Sequence, residues 1–168
     1  MSNLIIRTMT AEDIPSILNN YMEQGEQKPL DVLQYYLNAQ DNGELYMFIA
    51  QYDNDVAGYV VLYPQTKFGA FGGKGIPKLA DFIVFTKYRR KGIGNNILDA
   101  AEAKAAEISN SLSLSVGLHS GYGAAQRIYV KRGYVPDGSG LWYDNEPVGY
   151  GVQCPNDDDL EMFFLKEF

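Results

Sequence analysis

Cysteine, histidine and positive charge are all scarce in this chain of 168 residues, and each shortage argues against a class of function. The one cysteine, Cys154, has no partner for an internal disulfide, so a cross-linked secreted scaffold is excluded and a reducing, cytoplasmic compartment is expected. The one histidine, His119, joins no cluster of His, Cys and carboxylates with metal-ligand spacing, so no metal is expected. The 14 Lys and Arg against 21 Asp and Glu give a net charge of −7. Such a surface repels a phosphate backbone, which argues against nucleic acid as a partner and suits a cationic substrate. No apolar run approaches the roughly 18 residues that a membrane span requires. The start, MSNLIIRTMTAED, lacks a basic opening followed by an apolar core, so no signal peptide and no membrane partner are expected. Repeats, low-complexity tracts and dividing linkers are also missing, and a single domain over residues 1–168 is expected.

What is present is a globular composition, 46% hydrophobic and 21% charged, with 13 tyrosines that serve as amphipathic core and rim residues or line a cleft. Thr10-Ala11-Glu12-Asp13 reads as a capping box, with Ile14, Ile17, Leu18 and Tyr21 following at helical spacing. A second helix is predicted over Val32–Gln40 with Leu33, Tyr36 and Leu37 inward. Strands are predicted at Leu45–Tyr52 and Val56–Tyr63 around the turn Asp53-Asn54-Asp55. Pro64–Lys78, with four glycines and two prolines, reads as a mobile loop. Then come a strand at Leu79–Phe85, a helix at Gly92–Ser109 with an Ile97, Ala101, Ala105, Ile108 stripe, and a strand carrying Leu112, Leu114, Val116 and Leu118. A helix at Gly123–Arg132 follows, closed by Gly133, and Leu160–Lys166 forms a last strand. The order predicts an α/β fold with a mixed sheet.

The most informative stretch runs from Phe82 through Lys87-Tyr88-Arg89-Arg90-Lys91-Gly92-Ile93-Gly94-Asn95. A strand passes through a basic, glycine-bearing turn directly into a helix. The first N–H groups of a helix have no internal partner and sit at the positive end of its dipole, so this junction is an anion site. Gly92 and Gly94 let a diphosphate reach the backbone, while Arg89, Arg90 and Lys91 add charge. A dinucleotide fingerprint is excluded because Ile97 stands where a third glycine belongs. A P-loop at Gly73-Lys74 is excluded because Phe68 and Gly75 occupy its required glycine and hydroxyl positions.

Arg89-Arg90-Lys91-Gly92-Ile93-Gly94 after a strand resembles the CoA-diphosphate loop of the GNAT acetyltransferases. The segment Gly123-Ala124-Ala125-Gln126-Arg127-Ile128-Tyr129-Val130-Lys131-Arg132-Gly133-Tyr134 resembles that family's second signature. Two departures stand out: Thr86 where the family often has proline, and Tyr122 where many members carry an asparagine that contacts the CoA arm. The resemblance covers nearly the whole chain and implies a sheet splayed between two strands and flanked by helices. It implies acetyl-CoA as co-substrate, the backbone of Phe82, Ile83 and Val84 holding the pantetheine arm, and Tyr122 near it. It also implies an oxyanion donor at the Val84 N–H and Tyr129 as the acid that protonates the departing thiolate.

Transfer from a thioester to an amine requires a neutral nucleophile, donors to the oxyanion and a proton for sulfur. A phenol with a pKa of about 10 can donate to a thiolate whose conjugate acid has a pKa of about 8.5. Tyr129 is that acid or a core tyrosine. Asp81 is a base whose strength burial would raise, or a hydrogen-bonded strand-end carboxylate. His119 is a proton relay or a structural histidine. Candidates facing the acceptor amine are Tyr21, Glu23, Glu26, Tyr35, Trp142, Tyr143 and Asp144, while Asp157-Asp158-Asp159 reads as a turn. The expected function is N-acetyl transfer from acetyl-CoA to a primary amine of a small molecule or peptide. The other readings are a non-catalytic acyl-CoA-binding regulatory module and an unrelated nucleotide-binding domain. The assembly state is open, a homodimer among the options.

Overall fold

The structure, a computed structural model, describes residues 3–168; Met1 and Ser2, the start of the segment read for a signal peptide, lie outside the described residues. The elements are β1 Leu4–Thr8, α1 Asp13–Glu23, α2 Leu30–Asp41, β2 Tyr46–Tyr52, β3 Asp55–Tyr63, β4 Lys78–Val84 and α3 Ile93–Ile108. They continue with β5 Ser111–Gly117, α4 Gly123–Lys131, β6 Val135–Tyr143, β7 Glu146–Pro147 and β8 Leu160–Glu167. The strands form a mixed sheet in the order β1-β2-β3-β4-β5-β8-β6-β7, so the predicted α/β class holds. The chain forms two compact units: one runs to Tyr63 and resumes over Ala80–Lys104, the other comprises Pro64–Leu79 and Ala105–Phe168.

In the first unit β1, which the hydropathy pattern does not announce, pairs antiparallel with β2 from Leu4↔Tyr52 to Thr8↔Phe48. The predicted β2–β3 hairpin is present, and Asp53 takes the left-handed turn position at φ 56°. Its register shifts by one residue: Ala50 faces Gly58 but Gln51 faces Val56, leaving Ala57 as a bulge whose carbonyl accepts the Phe85 N–H at 3.0 Å. The helices α1 and α2 bury Ile17, Tyr21, Leu33 and Tyr36 in a core shared with Leu45, Met47, Ile49, Tyr59 and Phe85. Burial of such side chains stabilises by roughly 1.5–3 kcal/mol each. The capping box forms by its acidic half. The Asp13 carboxylate accepts the Thr10 N–H at 2.8 Å, and the Thr10 hydroxyl donates to that carboxylate instead of capping the helix, while Arg7 grips both Asp13 oxygens. Helix α3 starts in this unit; its Ile97, Ala101 and Ala105 are buried as predicted, but Ile108, in the last turn, is 40% exposed.

In the second unit the first two residues of β4 pair in parallel with β5, Lys78↔Ser113 and Leu79↔Leu114, and the ladder ends there. The Pro77 carbonyl accepts both the N–H and the hydroxyl of Ser113, each at 2.8 Å. β5 runs antiparallel to β8 from Ser111↔Glu167 to Gly117↔Glu161, and β6 pairs with the other edge of β8. Strands β6 and β7 are absent from the sequence reading. The segment expected to be a mobile loop is packed: Phe71 and Ala70 are buried against Phe163, and turns close from Gly72 N–H to the Gly69 carbonyl and from Gly73 N–H to the Thr66 carbonyl. Gly69 is required there, since a Cβ on it would lie 2.4 Å from the Phe163 ring.

Candidate active site

The cradle begins where β4 ends. Residues Thr86–Tyr88 make one 3-10 turn, Arg90 (φ 62°) and Gly92 (φ 76°) are left-handed, and α3 follows at Ile93. The Gly92 carbonyl accepts the N–H groups of Asn95 (3.1 Å) and Asn96 (3.3 Å) and the Asn96 side-chain amide (2.9 Å). Those bonds start the helix one turn in, so the Ile93 and Gly94 N–H groups lie ahead of the first intrahelical acceptor and can serve an anion. The Arg89, Arg90 and Lys91 side chains are exposed around them, with Arg89 Nε bonded to the Val84 carbonyl at 3.0 Å and the Lys91 ammonium 4.9 Å from the Tyr52 ring centre. A Cβ on Gly92 would meet only open space. Basic charge, a helix start and a bare backbone fit a diphosphate.

Asp55 braces this turn from below. Its carboxylate accepts from the Tyr88 hydroxyl (2.6 Å), from Asn20 (3.0 Å) and from the Ser16 hydroxyl, and pairs with Lys87 (3.0 Å). Burial opposes the charge, but these hydrogen bonds win and hold the carboxyl down at about 2. Thr86, the departure from the family's proline, has a role of its own. Its N–H and hydroxyl both donate to Gln24 Oε1 at 3.1 Å, and a proline could supply neither donor.

Asp81 has left-handed backbone at φ 48° inside β4, a conformation that costs about 1 kcal/mol or more for a residue with a Cβ. Its Oδ2 accepts from the Lys28 ammonium, from the Tyr36 hydroxyl (3.0 Å) and from the Tyr59 hydroxyl (3.2 Å). The Tyr21 hydroxyl lies 2.7 Å from that of Tyr59. Burial first, then the adjacent carboxylate, pushes the Tyr36 and Tyr59 phenols upward, so both stay protonated donors. The next residues, Phe82, Ile83 and Val84, are half-buried and lie past the end of the β4–β5 ladder.

In the second unit α4 ends in a Schellman motif. Gly133, at φ 91°, donates to the Val130 carbonyl, and Tyr134 N–H reaches back to the Tyr129 carbonyl at 3.1 Å. The hydrophobic contact that accompanies such a cap is made by Tyr129 and Tyr134, rings 5.8 Å apart. The second sequence signature is thus a device that fixes one buried tyrosine, and burial pushes the Tyr129 phenol upward. His119 Nδ1 accepts the Gly121 N–H (3.1 Å), which leaves the proton on Nε2 for Asp158 Oδ1 at 2.8 Å. Tyr122 donates to the same oxygen at 3.0 Å and packs on Gly117, where a Cβ would lie 2.3 Å from its ring. Burial and Asp158 raise the Tyr122 phenol to about 12.

The acceptor candidates separate. Tyr21 joins the Asp81 cluster, Glu23 pairs with Lys87, and Glu26 accepts from Gln24. Tyr35 is exposed, Trp142 is a packing residue 5.3 Å from Phe163, Tyr143 donates to Asp157, and Asp144 forms a left-handed hairpin turn with Asn145. Lys28, Tyr36 and Tyr59 were not singled out for the site by sequence. Among the described residues no three His, Cys, Asp or Glu are grouped to hold a metal, and no helix is long and apolar enough to cross a membrane.

The mixed sheet and the basic strand–helix junction define a class, the α/β proteins with a junction fit for an anion at the first turn of a helix. The family model described as the acetyltransferase (GNAT) family matches residues 11–134, well over half of the chain. The chain belongs to that family and is an acetyl-CoA-dependent acetyltransferase. Its fold is similar to the ribosomal-protein-alanine N-acetyltransferase from Brucella melitensis (19% identity, 98% of this chain and 99% of that one, TM-score 0.71). It is also similar to an N-acetyltransferase from Staphylococcus aureus Mu50 (19%, 98% of each chain, TM-score 0.70). A GNAT acetyltransferase from Elizabethkingia anophelis with acetyl-CoA bound is a further match (20%, 99% of each chain, TM-score 0.61). No curated protein matches the chain.

Proposed function

We propose that the chain, acting as one domain over residues 1–168, transfers the acetyl group of acetyl-CoA to a primary amine of a small molecule or peptide. The cradle carries this reading: a basic turn with left-handed Gly92 delivers two helix-start N–H groups ahead of any intrahelical acceptor. Acetyl-CoA supplies an acetyl group activated as a thioester. Arg89, Arg90 and Lys91, with the Ile93 and Gly94 N–H groups, hold its diphosphate. The Asn95 N–H is turned to the Gly92 carbonyl, so that residue contributes through its side chain. The backbone of Phe82, Ile83 and Val84 aligns the acyl arm, with the Val84 N–H as donor to the carbonyl oxygen. Asp81 accepts a proton from the incoming ammonium, and Tyr129, protonated by virtue of its burial, gives one to sulfur. His119 we place outside the proton path, because both ring nitrogens are engaged in holding the turn that also carries Tyr122.

Calorimetry with acetyl-CoA tests the reading. Gly92→Glu and Gly94→Glu place a carboxylate where the diphosphate belongs, and binding is expected to fall at least ~100-fold, which is about 2.7 kcal/mol. Unchanged affinity refutes the cradle. Acetyl-CoA binding without product from any primary amine would make the chain a binding module and refute the transfer.

A further inference from the structure

Lys28 stands in the loop between α1 and α2, and its ammonium is enclosed by three aromatic rings and one carboxylate. It lies 5.9 Å from the Tyr21 ring centre, 5.8 Å from Tyr36 and 5.9 Å from Tyr59, each within cation–π range, and it bonds to Asp81 Oδ2. Because Tyr59 commits its proton to Asp81, Tyr21 is the donor between the two hydroxyls, and the three phenols form one chain and one branch ending on a single oxygen. The Lys28 side chain is 15% exposed and that of Asp81 23%, so both charges keep some contact with solvent.

Three observations set this apart from a structural ion pair. Asp81 keeps its carboxylate in the cage at the cost of a left-handed backbone in mid-strand. It immediately precedes Phe82-Ile83-Val84. And the loop that delivers Lys28 is moored to the start of the cradle by Gln24 to Thr86 and Glu23 to Lys87 (2.8 Å).

We propose that the Tyr21–Tyr36–Tyr59–Asp81 cage is the binding site for the acceptor's ammonium group, and that Lys28 is an internal stand-in which the acceptor displaces. The proposal rests on the acetyl-transfer reading above. The stand-in defines the ligand class: a primary ammonium at the end of an unbranched methylene chain. Transfer breaks the thioester C–S bond and forms an amide C–N bond. Of the two protons the ammonium sheds, one leaves through Asp81 to solvent and the other ends on the departing sulfur.

The full chain carrying Lys28→Ala tests this, because the truncation removes the equivalent of n-propylammonium. The expected result is a Tm loss that n-propylammonium reverses and 1-propanol does not, n-propylammonium binding at least ~10-fold tighter than to wild type, and N-propylacetamide formed at least ~10-fold faster from acetyl-CoA. Acetyl-CoA affinity, read by calorimetry on both proteins, stays equal; its absence from wild type would refute the underlying transfer reading instead. Equal amine binding in both proteins overturns the cage, and tighter binding without faster product overturns its role as acceptor site. Should the alanine variant fail to fold, Lys28→Met keeps the stem and vacates only the place of the ammonium; ammonium chloride is then expected to restore its Tm where sodium chloride does not, and an equal response to the two salts overturns the proposal. Parallel reactions with 1,5-pentanediamine and with a peptide holding one lysine tell a free amine from a side chain.

Discussion

Gly58 and Ile83 approach so closely that a Cβ on the glycine would lie 2.4 Å from the Ile83 carbonyl oxygen and 3.0 Å from the Val84 Cα. Backbone cannot yield as a flexible side chain can, so β3 and the Ile83–Val84 part of β4 keep this spacing only with glycine at 58. Gly58→Ala is expected to push Ile83 and Val84 outward. Overpacking of this kind costs roughly 1–3 kcal/mol, a Tm loss of about 2–4 °C per kcal/mol for a chain of this size. Scanning calorimetry together with acetyl-CoA titration checks it; the affinity should fall along with the Tm.

Asp55 gives a pH dependence with a definite sign. Its carboxyl is held at about 2, below its unfolded value of 3.8, so the folded state binds fewer protons. The stability it contributes is full above pH ~4 and disappears as the pH falls from there toward 2. With its side chain 33% exposed, solvent screening leaves about 1 kcal/mol of this. Asp13, also held low by Arg7 and the Thr10 backbone although burial opposes it, loses its contribution in the same direction. Urea midpoints measured from pH 6 to pH 3 should therefore decline for wild type, and Asp55→Asn should start lower and decline less steeply.

Gly133→Ala isolates the helix cap. Nothing lies within 4 Å of the new Cβ, so the only penalty is the left-handed backbone at φ 91°, worth about 1–2 kcal/mol. Relief of that strain by unwinding the last turn would release the Tyr134-to-Tyr129 bond. The expected signature is a modest Tm loss with a larger fall in kcat than in acetyl-CoA affinity.

The features legible in the sequence are the local ones. The cradle is a contiguous strand, turn and helix start, so its charge and glycine spacing stand in one stretch from Phe82 to Asn95. The Schellman cap is likewise written within Tyr129–Tyr134. β6 carries no plain strand signal because Pro136, Gly138 and Gly140 interrupt its alternation; in the structure both glycines fall at a break in the β6–β8 register, between Pro136 and Leu141. The turn after it uses Asp144-Asn145, both left-handed without a glycine. The Lys28 cage was beyond reach for a different reason: Asp81 lies 53 residues from Lys28 and 22 from Tyr59, and no local pattern links them. Asp81 itself was singled out, but its tyrosine and lysine partners come from α1, the following loop, α2 and β3. His119 illustrates the converse, since only folding brings Asp158, 39 residues away, to its Nε2.

Tyr129→Phe separates chemistry from packing. The ring contact with Tyr134 at 5.8 Å and the backbone cap survive the change, so the variant is expected to remain folded at the assay temperature, which its Tm checks. A general acid contributes about 10²–10⁴-fold, so kcat is expected to fall at least ~100-fold while acetyl-CoA affinity stays within a factor of about two. Because burial pushes the phenol upward, the wild-type kcat profile should show no loss of the acid form up to pH ~10, the ordinary phenol value. Steady-state kinetics of both proteins across pH 6–10 reads all three quantities. An unaltered kcat in the variant would remove Tyr129 from the proton path and leave it as the packing end of the cap.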